Sequence, residues 1–274
     1  MARQRSAYLD VSAGVTLSVP DGDTYHIIEV IDMQNHVVDV IYSGESISIS
    51  PDNLTYGDYV YLNMRIRKYP EDKGGLAATR KQQGKARIEA AAARPCETPD
   101  IVVSQDKLQQ IRTRLIADVD AGKLADTTKA IGTPYTTDPQ AQLYATAYGW
   151  GGLSIEHAAY LNIEKNLTKI ENGKALPSSF TFTPPEIDYE RGGFWSITTY
   201  NAEGWLAEDK AAISNTEARP NDDGSYTINL NNPEARNNIN TPAPFAALLR
   251  VYVPASTDGI VSYFAKEGRA FVIE

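Results

Sequence analysis

Apolar and polar residues alternate over several short stretches of the chain, and this period of two predicts β-strands. The cleanest alternation spans residues 58–69. One face of this predicted strand carries the apolar side chains Val60, Leu62, Met64 and Ile66. The opposite face carries Tyr59, Tyr61, Asn63, Arg65 and Arg67. We expect the apolar face to lie in the core and the aromatic and basic face to lie outside it.

A second strand is predicted at residues 191–201, because Pro, Gly and acidic residues on both sides of it form turn signals. Phe194 and Tyr200 lie on one face of this strand, and Trp195 lies on the other. Large aromatic side chains on both faces indicate a strand that is packed on both sides. We therefore expect this strand to lie at the centre of a core.

Similar patterns predict strands at 15–20, 25–33, 37–43, 46–50, 179–183, 225–230, 245–253 and 259–273. Between these two groups, residues 76–94 have a helix-forming composition. Ser104 and Asp138 fit the N-cap positions of two further helices. The pattern predicts an α+β fold in which a helical block bridges two β-sandwich or jelly-roll-like parts. The predicted domains are a β-rich domain at 1–75, the helical block at 76–150, and a β-sandwich at 151–274.

Composition and charge indicate which partners and which cellular location to expect. Apolar residues make up 42% of the chain and charged residues 22%, as in an ordinary globular protein. The formal net charge of −9 argues against a nucleic-acid partner, because phosphate binding needs clustered Lys and Arg. No apolar run reaches the roughly 20 residues that cross a bilayer. We expect a cytoplasmic location, in the host cell for a viral protein; a chain whose signal peptide had been removed would be secreted and would look the same.

Candidate metal-binding and catalytic residues are few. The histidines His26, His36 and His157 lack metal-ligand spacing, and the single cysteine, Cys96, excludes an intrachain disulfide and a thiolate zinc site. We therefore predict no metal and no cofactor. The sequence contains no Gly-x-Ser-x-Gly motif and no phosphate-binding loop. A dispersed Ser-His-Asp set that includes His157 stays open, so the sequence does not decide whether the chain is an enzyme.

Three acidic residues precede the strand at 191–201, at positions 186, 188 and 190. Two carboxylates held roughly 5–10 Å apart across a cleft would be the apparatus of a glycosidase. Alternating carboxylates in a loop are more often solvated turn residues, and we favour that interpretation here.

Aromatic surface is the remaining functional signal. The chain has 16 Tyr and three Trp, whose apolar rings and polar tips suit sugars, small organic ligands or protein partners. The candidate ligand-binding residues are Tyr59, Tyr61, Asn63, Arg65, Arg67, Trp195 and Tyr200. The arginine pair needs an acidic partner, which is either internal, from the helical block, or external, from an anionic ligand or a subunit. Exposed strand edges also predict a homo-oligomer.

Two sets of motifs resemble known families. Arg5-Ser-Ala-Tyr-Leu-Asp10, Val19-Pro-Asp21, Tyr25 and Asp32 resemble the family called domain of unknown function 1254. Gly193-Phe-Trp-Ser-Ile-Thr198, Tyr200, Asn221, Asp223-Gly-Ser225, Pro244-Phe245 and Leu249-Arg-Val-Tyr-Val-Pro254 are similar to domain of unknown function 1214. The resemblance covers nearly the whole chain and implies a tandem of the two domains, which occurs in bacterial and some viral proteins.

This chain departs from the family pattern in two places. It lacks the longer N-terminal region of the family, and Asn238-Ile-Asn-Thr-Pro242 lacks the Trp expected there. These departures imply a shortened member of phage or viral origin. The resemblance implies a fold and an architecture, and it implies no activity.

Three functional hypotheses fit these observations. The first is a non-catalytic ligand-binding or interaction protein, a β-sandwich with an aromatic-lined concavity. The second is a hydrolase whose active-site residues converge only in three dimensions. The third is a viral or phage accessory or structural assembly protein. The lack of a recognisable catalytic set favours the first hypothesis.

Overall fold

The computed structural model describes residues 2–90, 103–124, 127–163, 170–201, 204–206 and 208–267. Cys96 and the ends of two predicted elements, at 91–94 and 268–273, lie outside these residues. The chain divides into two compact units, residues 2–155 and residues 156–274. The predicted helical block at 76–150 falls within the first unit.

Two antiparallel sheets form the β part of the first unit. The strand order in the larger sheet is β1 (Ala2–Asp10), β6 (Tyr59–Arg67), β3 (His26–Asp32) and β4 (Val37–Tyr42). The strand order in the smaller sheet is β5 (Ser46–Ile49), β2 (Val15–Ser18) and β7 (Arg87–Ala90).

The core of the first unit lies between these two sheets. Val30 and Leu62 of the larger sheet join Leu17 and Ile49 of the smaller sheet in one buried cluster. The predicted inward face of β6 is confirmed: Val60 and Leu62 belong to this cluster, Met64 packs against it, and Ile66 is fully buried. Burial of such a cluster is the main driving force for folding, at roughly 25 cal/mol for each Å² of apolar surface removed from water.

Three α-helices belong to the described part of the first unit: α1 (Gly75–Gln83), α2 (Gln105–Asp120) and α3 (Pro139–Tyr148). The Ser104 hydroxyl accepts a hydrogen bond from the Lys107 backbone N–H at the start of α2. The Asp138 carboxylate accepts hydrogen bonds from the backbone N–H groups of Gln140 and Ala141 at the start of α3. Both predicted N-caps are therefore confirmed.

The predicted helix at 76–94 is wrong at residues 84–90. The helix α1 ends at Gln83, and residues 87–90 form the strand β7, which pairs with β2. Gly84 weakens the helix, and the unpaired edge of β2 then supplies hydrogen-bond partners to the backbone. Tertiary pairing thus overrides a local composition that favours helix.

Two further sheets form the β part of the second unit. The order in the first is β13 (Ala212–Ser214), β12 (Phe194–Tyr200), β16 (Ala246–Tyr252) and β8 (Ala158–Ile163). The order in the second is β11 (Ser178–Phe182), β14 (Tyr226–Leu230) and β15 (Asn238–Ile239). A short hairpin joins β9 (Ile170–Glu171) and β10 (Lys174–Ala175).

The strand β12 lies at the centre of the second unit, as its sequence predicts. Both Phe194 and Trp195 are fully buried, although they point to opposite faces of the sheet. The Trp195 ring packs edge-on against Phe182 at 5.0 Å and against Tyr226 at 4.9 Å, between ring centroids. These contacts join the two sheets of the unit through one aromatic cluster.

The predicted strand at 259–273 is wrong over its described part, because residues Thr257–Glu267 form the helix α4. The Ser256 hydroxyl accepts a hydrogen bond from the Gly259 backbone N–H, which is the geometry of a helix N-cap. Ile260 and Phe264 then recur at helical spacing, and Ile260 is buried. The cap and this spacing outweigh the short alternation on which the prediction rested.

The α+β fold class is confirmed: both units contain an antiparallel sheet, and the described residues include the helices α1 to α4. None of the helices in the described residues is both long enough and apolar enough to cross a membrane.

Candidate functional site

Three aromatic side chains form a partly exposed surface on the larger sheet of the first unit. The rings of Tyr8 on β1 and Tyr61 on β6 lie 5.0 Å apart, and the Trp150 ring packs edge-on against Tyr61 at 4.6 Å. Tyr8 is 57% exposed and Trp150 is 37% exposed. We call these three residues the aromatic platform. It lies on the face of the sheet that points away from the core.

A buried ion pair lies on the same face of this sheet. The Arg65 guanidinium donates from Nη1 to Glu29 Oε2 at 2.5 Å, and both side chains are almost completely buried. Glu29 lies on β3 and Arg65 on β6, so the pair crosses two neighbouring strands. A charge buried this deeply needs a partner, and here each ion supplies the partner of the other.

The ion pair also fixes the loop that carries Trp150. Arg65 donates from Nη2 to the Gly151 carbonyl oxygen at 2.5 Å, and Asn63 donates to the same oxygen at 3.4 Å. The Gly151 N–H donates to the side-chain oxygen of Asn35 at 3.3 Å. Gly151 has a φ of 78°, which favours glycine at this position. Both backbone groups of Gly151 are thus held by side chains of the sheet and its turn.

Burial raises the pKa of Glu29 to about 7, while Arg65 and Asn63 lower it. The cost of removing the carboxylate from water is therefore larger than the stabilisation that its partners supply. His26, on the same strand, is also buried, and burial lowers its pKa to about 4. Neither of its ring nitrogens has a hydrogen-bond partner among the described residues.

The structure separates the five predicted binding residues of β6 into two groups. Asn63 and Arg65 are buried and hold the Gly151 loop, so they lie beneath the surface. Tyr59, Tyr61 and Arg67 are half-buried. The acidic partner of Arg65 is internal, as one of the two interpretations requires, but it comes from β3 and not from the helical block.

Arg67 lies at the far end of β6 from the aromatic platform. Its Nε donates to the Thr24 hydroxyl at 3.3 Å. Burial lowers the pKa of Arg67, and the nearby Asp23 opposes that shift.

The two candidate residues of the second unit lie on opposite faces of β12. Trp195 is fully buried in the aromatic cluster, so a ligand reaches it only if the core opens. Tyr200 is half-buried, and its hydroxyl accepts a hydrogen bond from Arg250 Nη2 at 2.6 Å.

One histidine lies near both a carboxylate and a hydroxyl. His36 Nδ1 lies 3.3 Å from Asp32 Oδ2 and 3.4 Å from the Thr55 hydroxyl. A catalytic triad uses opposite nitrogens of the imidazole for its acid and its nucleophile, whereas both groups here face Nδ1. Asp32 Oδ1 also accepts the backbone N–H groups of Gln34 and His36, at 2.9 Å each. The cluster therefore caps the β3–β4 turn.

The acidic residues before β12 and the Asn residues after β14 also have structural roles. Asp188 accepts a hydrogen bond from the Arg191 backbone N–H, as expected for a turn residue. In the Asn-rich loop at residues 231–240, Asn231 and Asn237 make side-chain hydrogen bonds that satisfy backbone groups nearby in the fold. Within the described ranges, no group of three or more His, Cys, Asp or Glu side chains could hold a metal ion.

An open groove of about 580 Å³ runs along α2. Its lining contains Asp106, Gln109, Gln110, Thr113, Arg114 and Ala117. The lining has no aromatic side chain, so this groove is distinct from the aromatic concavity that the sequence predicts. The aromatic platform lies instead on the larger sheet of the first unit, and it is a partly exposed surface.

The sequence patterns did not predict Tyr8, Trp150 or Glu29 as site residues. Tyr8 and Trp150 join the platform only through the pairing of β1 with β6 and the fold of the loop after α3. Glu29 lies in the middle of the apolar run Ile27-Ile28-Glu29-Val30-Ile31, and a single charge inside such a run is a signal for a buried ion pair.

The comparisons with known proteins agree with part of the family resemblance. The family model described as "Protein of unknown function (DUF1214)" matches residues 177–256. This range lies in the second unit and contains the motifs that carry the resemblance to that family, so this part is confirmed. No curated protein matches the chain.

Two solved structures share the fold. The VPA0106 protein from Vibrio parahaemolyticus is similar with a TM-score of 0.72 and 17% identity, over 92% of this chain and 84% of that one. An uncharacterised protein from Burkholderia cenocepacia is similar with a TM-score of 0.51 and 12% identity, over 93% of this chain and 73% of that one. At these identities the likeness concerns the fold alone.

Proposed function

We propose that the protein binds carbohydrate through the aromatic platform, without catalysing a reaction on it. The observation that carries the proposal is the contact of three aromatic rings, of which Tyr8 and Trp150 are exposed to solvent. An apolar sugar face stacks on such rings, because both surfaces leave water when they meet.

Polar groups beside the platform suit the hydroxyl groups of a sugar. Ser6 and Asp10 lie two residues before and after Tyr8, so they point to the same side of β1. Tyr59 is opposite Asp10 on β6 and is half-buried. A hydroxyl, a carboxylate and a phenol next to stacked rings supply both donors and acceptors for a ligand that is polar at its rim.

The support beneath the platform favours binding over a purely structural role for these rings. The Trp150 loop is held by Arg65 and Asn35 through both backbone groups of Gly151. A surface that is ordered before binding loses less conformational freedom on binding. The buried polar network therefore supports ligand affinity although it lies beneath the surface that meets the ligand.

A glycan array tests this proposal. We expect the full chain to bind at least one class of oligosaccharide on the array. We expect Tyr8→Ala and Trp150→Ala to abolish this binding. Tyr135→Ala and Trp205→Ala are matched controls, because these rings are 96% and 72% exposed but lie outside the platform. The proposal would be contradicted if the wild type bound no glycan, or if the control variants lost as much binding as the platform variants.

We also propose that residues 1–75 correspond to domain of unknown function 1254 and that the chain is of phage or viral origin. The motifs at Tyr25 and Asp32 support the first part, since both residues are buried and Asp32 organises the β3–β4 turn. Finding the matching motifs in the same order in relatives encoded by phage genomes would test the second part. Relatives confined to bacterial chromosomes would contradict it.

A further inference from the structure

The strand β1 leaves one edge of the larger sheet of the first unit unpaired. It pairs with β6 in one continuous register over its nine residues, and no strand pairs with its other side within the described ranges. No proline, lysine or bulge interrupts β1, although these features commonly keep edge strands from pairing. The exposed side chains along this edge are Gln4, Arg5, Ser6 and Tyr8.

The hydrogen bonds between β1 and β6 show which backbone groups face the open edge. The Val11 N–H, just after β1, donates to the Asp58 carbonyl oxygen at 2.7 Å. Hydrogen-bonded pairs alternate along an antiparallel ladder, so the odd-numbered residues of β1 bond to β6. The N–H and C=O groups of Gln4, Ser6 and Tyr8 therefore point to the open edge. None of these three residues has another backbone partner among the described residues.

A second copy of the chain fits this edge about a twofold axis. Residues that lie opposite each other in such a pair share a face of the sheet, so the axis passes through one residue of β1. An axis at Ala7 places Ser6 opposite Tyr8 of the second copy, and both residues have outward backbone groups. It also places Arg5 opposite Leu9 of the second copy. The two Arg5 residues are then about 13 Å apart along the strands.

The neighbouring registers are less favourable. An axis at Arg5 or at Ser6 places the two Arg5 residues directly opposite or diagonal to each other, where like charges repel. An axis at Tyr8 leaves Gln4 without a strand residue opposite it, because β1 ends at Asp10. The register centred on Ala7 therefore combines a long overlap with separated charges.

We propose that the chain forms a homodimer in which two β1 strands pair antiparallel about a twofold axis at Ala7. The two four-stranded sheets then become one continuous sheet. Leu9 is half-buried in one copy, and the methylene stem of Arg5 from the second copy covers it further. The second copy approaches from the strand edge, so the face of the sheet that carries the aromatic platform stays open.

This pairing joins the platforms of the two copies. Tyr8 is diagonal to Tyr8 of the second copy, and diagonal neighbours lie about 7–8 Å apart, within reach of aromatic side chains. Within each copy, the Tyr8 ring already lies 5.0 Å from the Tyr61 ring. One aromatic stripe therefore crosses the twofold axis. The interface rests on the strand edge and not on the proposed carbohydrate binding, so its test measures association alone.

Disulfide cross-linking tests the register. In a Cys96→Ser background, which removes the single native cysteine, Ala7→Cys places two thiols at the axis. The opposite Cα atoms of a non-hydrogen-bonded pair lie about 4.5 Å apart, a distance that a disulfide spans. We expect air oxidation to give a covalent dimer with twice the 30.1 kDa mass of one chain. Arg5→Cys is the matched control, because its two thiols lie too far apart in this register.

A proline variant tests the interface without a cross-link. Ser6→Pro removes an N–H that points to the open edge, so the bonds between β1 and β6 stay in place. We expect this variant to lose the dimer, with its mass falling to that of one chain in light scattering at micromolar concentration. Ser6→Thr keeps the N–H and is the control. Circular dichroism verifies that both variants are folded.

Three results would overturn the proposal. One is a wild-type mass of a single chain at micromolar concentration. Another is a yield of covalent dimer from Ala7→Cys that is no higher than the yield from Arg5→Cys. The third is a folded Ser6→Pro variant that keeps the mass of the wild-type dimer, because that result would place the interface elsewhere.

Discussion

At the scale of single residues, the Glu29–Arg65 ion pair is the feature with the largest expected effect on stability. Arg65→Met leaves Glu29 buried without its partner, so we expect a loss of about 3 kcal/mol or more in the free energy of unfolding. Arg67→Met is the control, because Arg67 is half-buried and we expect a loss of about 1 kcal/mol. Urea unfolding of both variants measures the difference. Equal losses would contradict the assigned role of Arg65.

Two buried titratable groups predict opposite effects of pH. The pKa of Glu29 is raised from 4.5 to about 7, so the folded state binds the proton more tightly and its contribution to stability falls as pH rises through this interval. The pKa of His26 is lowered from 6.5 to about 4, so the unfolded state binds the proton more tightly and stability falls as pH decreases.

The two effects oppose each other over most of the same pH interval, and single variants separate them. We expect Glu29→Gln to become less stable as pH falls from about 6.5 to 4, because His26 is then the one of these two groups that still titrates in this interval. We expect His26→Phe to become less stable as pH rises from about 4.5 to 7. The measurement is the urea midpoint as a function of pH. Parallel profiles for the two variants would show that these groups do not control the pH dependence.

Residue roles were predictable where they depend on neighbours in the sequence. The capping by Ser104 and Asp138 follows from their position before a helix, and the structure confirms it. The need of Arg65 for an acidic partner was predicted, with an internal and an external partner as alternatives, but the identity of Glu29 was not. That identity depends on the pairing of β3 with β6, which no local pattern specifies.

At the scale of elements, alternation predicted the central strands well, because β6 and β12 each have a face against a core. Prediction failed at 87–90, where local composition and strand pairing disagree, and at 259–267, where a helix cap and helical spacing outweigh a short alternation. The platform was also beyond prediction, since Tyr8, Tyr61 and Trp150 come from three separate elements. Their contact requires a strand pairing and a loop that ends on the sheet.

The loop after α3 gives a prediction at this scale. Gly151→Ala places a Cβ on a residue with a φ of 78°, so we expect a loss of about 1 kcal/mol and a displaced Trp150. Gly122→Ala is the control, because Gly122 has a φ of 81° but lies outside the loop. We expect both variants to lose stability and only Gly151→Ala to lose carbohydrate binding. Equal binding by the two would mean that the loop does not position the platform.

At the scale of the whole molecule, we predict a homo-oligomer. The strand β1 pairs with β6 on one side and with no other strand among the described residues, so its outer edge is open to pairing. Symmetric association is a common way to cover such an edge. Light scattering at micromolar concentration measures the mass. A value near 30.1 kDa, the mass of one chain, would contradict this prediction.

The most direct test of the proposed function is calorimetric titration with the oligosaccharide that the wild type binds best. We predict that Trp150→Ala weakens the affinity by about tenfold or more, because a central aromatic contact carries much of the binding energy. We predict that Trp205→Ala, with an exposed ring in the other unit, leaves the affinity unchanged. Unchanged affinity in Trp150→Ala would contradict the aromatic platform as the binding surface.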